Sequence, residues 1–217
     1  MRRSRTSPTP GPPRGLGVRA AAAAALALVA ALVVGCASTP ATRLHTLLPA
    51  QSVPRPAQGT LTPIVLEPIR IPAQVDQPQW LVRLPDDSLA ILEQERWSSP
   101  LQDELRQALL EELGRFGMVE AAVGASVPWR IRIELRRFES VPGREARIEG
   151  SWLLSAGDGR RPGLRCDWRY AESAGPGMPA LANAHRRAVV RLAGALGESL
   201  GKLGRGETAA CPAHDSP

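Results

Sequence analysis

Three consecutive segments in the second half of the chain alternate regularly between apolar and polar residues. They span 129–136, 146–154 and 164–170, and the connections at 142–143 and 157–159 consist of proline, glycine and aspartate. A period of two places alternate side chains on opposite faces of a β-strand. Because tight turns join antiparallel neighbours, the pattern predicts a three-stranded meander with one apolar and one polar face.

The polar face of this predicted meander carries both signs of charge, beginning with Arg130, Arg132 and Glu134. We interpret it as a solvated surface, with a protein-docking face as the alternative. The formal net charge of +6 does not indicate nucleic-acid binding, since five of the 27 basic residues lie before residue 20. Without those five, 22 basic residues stand against 21 acidic ones, and the net charge is +1.

An amphipathic helix is predicted before the meander. Ser99 can serve as its N-cap, Pro100 suits the first helical position, and Gln102 would complete a capping box. The helix ends at Gly114 or Gly117. Its apolar stripe consists of leucines spaced four apart, namely Leu101, Leu105, Leu109 and Leu113. One face of this helix is therefore expected to pack against a core.

Extended segments are predicted in the first half of the chain. The segment 61–71 is rich in aliphatic and β-branched residues, but Pro63 and Pro68 interrupt it and Pro72 follows it, so we expect an edge strand or a bulged one. Segments 80–84 and 89–97 also have strand character, and the turns at 76–79 and 86–88 precede them.

A second amphipathic helix is predicted over 179–203, after a glycine-proline break at 175–177. The order of elements is then β-β-α-β-β-β-α, with 43–48 as either an extra N-terminal strand or part of a linker. One apolar sheet face and two amphipathic helices must bury each other. We therefore predict a two-layer α+β fold, in which a mostly antiparallel sheet carries both helices on one face.

The N-terminus has the layout of a bacterial lipoprotein signal peptide. Several arginines precede 15 consecutive apolar residues, Ala20 to Val34, and Gly35-Cys36 follows. This pattern predicts cleavage before Cys36, whose thiol would carry the lipid. Since residue 37 is alanine and not aspartate, the expected destination is the periplasmic face of the outer membrane. Two or three acyl chains anchor a protein stably.

These observations divide the chain into four predicted parts. A signal peptide covers 1–35, and the lipidated cysteine with a proline-rich tether covers 36–60. The α+β domain covers 61–204, and a tail covers 205–217. In an oxidising compartment the two remaining cysteines, Cys166 and Cys211, are expected to pair, with two unrelated thiols as the alternative.

Catalytic, metal and cofactor sites are not predicted. The three histidines are scattered, and the chain contains no nucleophile elbow, phosphate-binding glycine loop or zinc motif. The carboxylate pair Asp86-Asp87 lies where a turn favours aspartate, and Ser98-Ser99 is accounted for by helix capping. We therefore expect a protein that is not an enzyme and that has no bound cofactor.

Several segments, in order, resemble the ABC-type transport auxiliary lipoproteins of the PqiC/YmbA family. After the lipidation signal, 44–49 is a hydrophobic segment ending in Leu-Pro, where the family more often has two aromatic residues. The other matching segments are 66–72, running into 75–79, then 96–101 at the start of the first helix, and 168–172 before the second. The resemblance covers nearly all of the chain after Cys36.

The resemblance implies an auxiliary component of a lipid-transport system. Its partners would be an MCE-domain protein that bridges the periplasm, together with an inner-membrane permease and ATPase, and the lipoprotein sometimes acts as a ring of copies. No catalytic residue carries over from the family. The residues that match its signature are candidates for partner binding, with turn, strand-end or core roles as the alternative: Asp76, Gln77, Pro78, Gln79, Arg96 and Trp97.

A structural or assembly lipoprotein is the main rival to this interpretation. Secretin pilots and activators of cell-wall synthesis are small domains on lipid tethers, and an α+β fold serves them equally well. Such proteins would bind partners of a different class.

Overall fold

The computed structural model describes residues 40–51, 61–122, 124, 129–159 and 163–215. The chain divides into two units, Met1–Ala41 and Thr42–Pro217, and the strands and helices of the described residues all lie in the second unit. The predicted signal peptide, Cys36 and most of the predicted tether lie outside the described residues.

The described part of this unit contains eight strands and two α-helices, which confirms the predicted α+β class. The elements are β1 (Arg43–His45), β2 (Thr62–Leu66), β3 (Gln79–Arg83), β4 (Leu89–Trp97), α1 (Leu101–Leu113), β5 (Met118–Glu120), β6 (Trp129–Val141), β7 (Glu145–Ala156), β8 (Leu164–Ser173) and α2 (Met178–Gly204). Single 3-10 turns at Ala73–Val75 and Gly114–Phe116 precede β3 and β5.

The larger sheet has the order β5-β2-β6-β7-β8. Its antiparallel part, β6-β7-β8, is the meander that the alternating segments predict.

The prediction for 61–71 was an edge strand or a bulged one. The edge position was wrong, because β2 runs parallel between β5 and β6. Leu66 pairs with Ile131 and Arg70 with Glu134, so the segment has one residue more than β6 between these two pairings. Thr62 and Ile64 form the backbone hydrogen bonds to the β5 side, with Gly117 and Ala121, so the nitrogen of Pro63 faces β6. Proline is tolerated there because pairing with β6 begins only at Ile64.

A second, three-stranded sheet has the order β1-β4-β3. The sequence pattern predicted one sheet for all strands, and the structure corrects this. β3 and β4 form an antiparallel pair, whereas β1 runs parallel to β4, with Leu44 opposite Arg96 and His45 opposite Trp97. The register of β3 against β4 shifts between Gln79 and Trp80.

The core lies between the two helices and the apolar face of the larger sheet. α2 packs against β7, β8 and α1, and α1 packs against β5. All four leucines of the predicted stripe in α1 are buried. The small sheet joins this core through an aromatic cluster in which each ring contacts at least one other, comprising His45, Trp80, Trp97, Phe138 and His185.

The predicted capping box at the start of α1 was wrong. The N-cap is Pro100, and no side chain among the described residues caps the helix. Instead, the hydroxyls of Ser98 and Ser99 donate to Oε1 of Glu104, at 2.5 and 3.0 Å. Glu104 lies in the first turn with only 2% of its surface exposed, and one carboxylate oxygen can accept both hydroxyls through its two lone pairs. Gln102, the expected partner in the box, lines a surface cavity instead.

The C-terminal tail lies along β8, the edge strand of the larger sheet. Cys211 and Cys166 form a disulfide, with their Cα atoms 5.4 Å apart. The backbone N–H of Asp215 donates to the carbonyl of Arg169, and its carboxylate accepts from the N–H of Ala171 and from Arg191. The tail therefore covers edge groups of β8 that would otherwise be open to another strand.

Candidate partner-binding site

Two signature segments that are separated in the sequence meet in the structure. Asp76, Gln77 and Pro78 follow the 3-10 turn before β3, and Trp97 ends β4. The N–H of Trp97 donates to the carbonyl of Pro78 at 3.1 Å, which fixes the turn against the strand end. The turn and the start of α1 are thereby held side by side.

A surface cavity of about 350 Å³ lies between them. Its lining consists of Asp76, Gln77, Pro78, Trp97, Ser98, Ser99, Pro100 and Leu101. A second cavity of about 540 Å³, lined by residues 67–71, Asp76, Gln102 and Arg132, adjoins it. Asp76 lines both cavities, and we call the two together the signature groove.

The floor of the groove is apolar and rigid. Trp97 and Leu101 have 5% and 2% of their surface exposed. The Trp97 ring packs on Trp80, with centroids 4.2 Å apart, and meets Phe138 edge-on. For Trp97 the structure supports the core role, since so little of the ring can reach a partner. The rim is polar and exposed, with Asp76 on one side and Ser98 on the other.

Glu104 lies beneath the groove and connects its wall to β1. Its Oε2 accepts hydrogen bonds from the Thr46 hydroxyl at 2.7 Å and from the Leu47 N–H at 2.8 Å. Burial raises the pKa of Glu104, but the hydrogen bonds from Ser98, Thr46, Leu47 and Ser99 outweigh burial and lower it overall. Glu104 is therefore an ionised carboxylate that holds three segments together at neutral pH.

Gln79 and Arg96 lie outside the groove. They are paired across β3 and β4, and both contact Glu93: the Gln79 amide donates to its carboxylate and Arg96 donates to its carbonyl. Leu44, 66% exposed, is opposite Arg96 on β1. The six signature residues are thus divided between the signature groove and the outer face of the small sheet.

A serine–histidine pair that the sequence pattern does not reveal lies inside the core. Ser140 Oγ is 2.7 Å from His185 Nε2, and the indole N–H of Trp80 donates to the same oxygen at 2.8 Å. Ser140 and His185 are 1% and 0% exposed, and Phe138 stacks on the imidazole. Burial lowers the pKa of His185 to about 3, so the ring is neutral. This geometry ties the small sheet to α2.

In the described part of the chain, no group of three or more His, Cys, Asp or Glu residues is arranged so that it could hold a metal ion. Among the helices of that part, none combines the length and the apolar character needed to cross a bilayer.

A family model described as the ABC-type transport auxiliary lipoprotein component matches residues 45–197. The chain belongs to this family. The match includes both walls of the signature groove, all of α1 and α2 as far as Gly197. It agrees with the resemblance found in the sequence and makes the chain an auxiliary lipoprotein of a transport system. No protein with curated annotation matches the chain.

Solved structures share the fold of this auxiliary lipoprotein. One, described as an uncharacterized protein, is 16% identical, with a TM-score of 0.61 over 74% of this chain and 99% of that chain. Another, protein XCC0632 from Xanthomonas campestris, is 19% identical, with a TM-score of 0.55 over 76% of this chain and 98% of that chain. At these identities the likeness concerns the fold.

Proposed function

We propose that this auxiliary lipoprotein is a non-enzymatic component of an intermembrane lipid-transport system, anchored by Cys36 in the outer membrane and facing the periplasm. Its task is to bind the MCE-domain protein that spans the periplasm from an inner-membrane permease and ATPase. The observation that carries this proposal is the signature groove, in which Asp76, Gln77 and Pro78 meet the strand end at Trp97.

The groove has the physical properties of a protein-docking site. Pro78 and Pro100 supply exposed apolar surface, and Asp76 and Ser98 supply hydrogen-bonding groups at the rim. Protein interfaces commonly combine apolar surface with a polar rim. The floor of Trp97 and Leu101 is packed in the core, so docking orders few additional side chains on this side of the interface.

A lipid tether suits a protein that works by binding. A single groove of this size makes a weak contact. Several copies held at one membrane and engaging one oligomeric bridge would bind much more tightly through their high effective concentration. We therefore expect the mature protein to act as several copies, and the native mass of the purified protein measures their number.

The test is capture of the MCE protein from detergent-solubilised envelopes by the tagged full-length lipoprotein. Asp76→Arg, at the exposed rim, should reduce capture about tenfold, which corresponds to roughly 1.4 kcal/mol per contact. Glu198→Arg makes the same charge change on an exposed position of α2 and should leave capture unchanged.

Equal capture by both variants would show that the groove is not the contact. If the unmodified protein recovers no MCE protein and instead recovers a secretin or a cell-wall synthase, the assembly-lipoprotein interpretation replaces this one.

A further inference from the structure

A second depression, of about 520 Å³, lies between β3 of the small sheet and the polar face of the larger sheet. We call it the arginine cleft. It is lined by Gln74, Leu81, Val82, Arg83, Leu89, Arg136, Arg137, Phe138, Glu139, Ser140, Glu149 and Arg169. None of these residues belongs to the signature, and none lines the signature groove.

A β-bulge creates the arginine cleft. The register of β6 against β7 shifts between Leu135 and Arg137, so Arg136 is an extra residue in the ladder. Up to Leu135 the odd-numbered residues of β6 are buried, whereas from Phe138 onward the even-numbered ones are. The shift turns Arg136 and Arg137 to the same polar face, where regular alternation would bury one of them.

Gly150 accommodates this bulge. A Cβ at position 150 would lie 2.2 Å from the carbonyl oxygen of Glu134, closer than any side chain tolerates. Arg136 in turn donates to the carbonyl of Gly150 at 3.1 Å. The two adjacent arginines are therefore held by backbone geometry that requires glycine on the neighbouring strand.

Positive charge exceeds negative charge in the arginine cleft. Its lining contains four arginines and two glutamates. Arg83 and Arg137 both pair with Glu139, while Arg137 and Arg169 both pair with Glu149. Arg136 pairs at 2.8 Å with Asp167, which lies outside the lining and is 65% exposed. The shared carboxylates neutralise only part of the guanidinium charge.

The two glutamates keep their charge at neutral pH. Burial raises their pKa values, but hydrogen bonds and charge from the neighbouring arginines outweigh it, so the pKa values of Glu139 and Glu149 both lie below the ordinary range. The carboxylates therefore order the guanidinium groups, whose remaining N–H donors suit an anion.

The small sheet contributes aliphatic side chains to the arginine cleft beside Arg83. Leu81 and Leu89 belong to the lining, and Leu89 is 49% exposed. Guanidinium groups next to exposed aliphatic side chains match an amphipathic anion better than an inorganic one. An exposed leucine beside arginines is the kind of surface that the glycerol and first methylene groups of a phospholipid can cover.

We propose that the arginine cleft binds a phosphate-ester anion, and that its occupant is the headgroup region of an anionic phospholipid. This proposal goes beyond partner docking, because the lipoprotein would itself contact the lipid that the system transports. The identity of the occupant as a lipid rests on the proposed function. Arg136 and Arg137 contact the phosphate, and Leu89 contacts the apolar part of the lipid.

The test uses the full mature chain from residue 36, made without acylation by Cys36→Ser. Isothermal titration compares three probes, namely dihexanoyl phosphatidylglycerol, dihexanoyl phosphatidylcholine and inorganic phosphate. The phosphatidylglycerol should bind most tightly, and its affinity should fall as salt rises, because the contact is ionic.

Matched variants locate the binding. Replacing both cleft arginines, Arg136→Gln with Arg137→Gln, should weaken phosphatidylglycerol binding about tenfold or more, as expected for the loss of charge-assisted hydrogen bonds. Arg130→Gln removes an exposed arginine on the same strand that lines neither the arginine cleft nor the signature groove, so its affinity should stay within about twofold of the unmodified protein. Leu89→Ser should weaken phosphatidylglycerol binding about threefold and leave phosphate binding unchanged.

Each result decides the matter. Equal affinities for inorganic phosphate and phosphatidylglycerol, with no effect of Leu89→Ser, would overturn the lipid as occupant. Absence of phosphatidylglycerol binding, or equal weakening by Arg130→Gln and by the double variant, would overturn the site. Capture of the MCE protein should be unaffected by the double variant, so failure of this proposal is distinguishable from failure of the proposed function.

Discussion

Glu104 offers the sharpest test of how this fold is held together. The carboxylate is buried in the first turn of α1 and accepts four hydrogen bonds, two on each oxygen. They come from the segment after β1 and from the residues between β4 and α1. Glu104→Gln keeps the size and shape of the side chain but removes the charge.

The amide oxygen of the introduced glutamine must take the place of Oε2, because the Leu47 N–H can only donate. The amide NH2 then faces the Ser98 and Ser99 hydroxyls, which must turn round and accept. All four bonds become neutral ones, which are individually weaker by about 1 kcal/mol, while the cost of burying a charge disappears. We expect the free energy of unfolding at pH 7 to fall by about 2 kcal/mol.

Asp103→Asn is the matched control, since Asp103 is exposed in the same helical turn. Asp103→Asn removes only the favourable interaction of the carboxylate with the helix dipole, so the free energy of unfolding should fall by about 0.3–1 kcal/mol. Chemical denaturation of both variants and of the unmodified protein measures the difference. A loss for Glu104→Gln no larger than that for Asp103→Asn would refute the hydrogen-bonding role assigned to Glu104.

The pH dependence gives an independent check. The pKa of Glu104 is lower in the folded state than its ordinary value, so its ionised form stabilises the protein fully above that ordinary value. This stabilisation is lost as pH falls through the folded-state pKa. The difference in unfolding free energy between the unmodified protein and Glu104→Gln should therefore shrink from pH 7 to about pH 3. A difference independent of pH would contradict the assignment.

The disulfide, the bulge and the lipid anchor give three further predictions. Cys211→Ser opens a loop of 45 residues and should lower the free energy of unfolding by about 4 kcal/mol in the chain-entropy model. If the unmodified protein melts at the same temperature with and without reductant, this prediction is contradicted. In the same denaturation assay, Gly150→Ala should destabilise the protein by about 3 kcal/mol, because the added Cβ clashes with the backbone at the bulge. Gly194→Ala should instead stabilise α2 by up to about 1 kcal/mol, because a Cβ at this position lies in open space. Cys36→Ala should leave an unprocessed precursor absent from the outer membrane, and normal outer-membrane fractionation of that variant would disprove lipid attachment at this residue.

The candidate site was only partly predictable. The signature segments were identifiable in the sequence, but their division between a groove and a sheet face depends on the pairing of β3 with β4. The buried position of Glu104 was indicated locally, since this residue lies three positions after Leu101 on the apolar side of α1. The bulge at Arg136 and Arg137 was also indicated locally, because two adjacent charged residues interrupt an alternating strand. The buried Ser140–His185 pair had no such local indication, because its members are 45 residues apart.

The sequence by itself determined the meander, the two helices and the α+β class, because periods of 2 and 3.6 residues and tight turns are local properties of the chain. Only the tertiary structure decided that β2 lies between β5 and β6, that β1 joins β4, and that the strands form two sheets. Those pairings join residues far apart in the sequence, and a strand carries no local mark of which distant strand will bind it. They are selected by burial of the shared aromatic core and by groups such as Glu104, whose hydrogen-bonding partners come together only when the whole domain has folded.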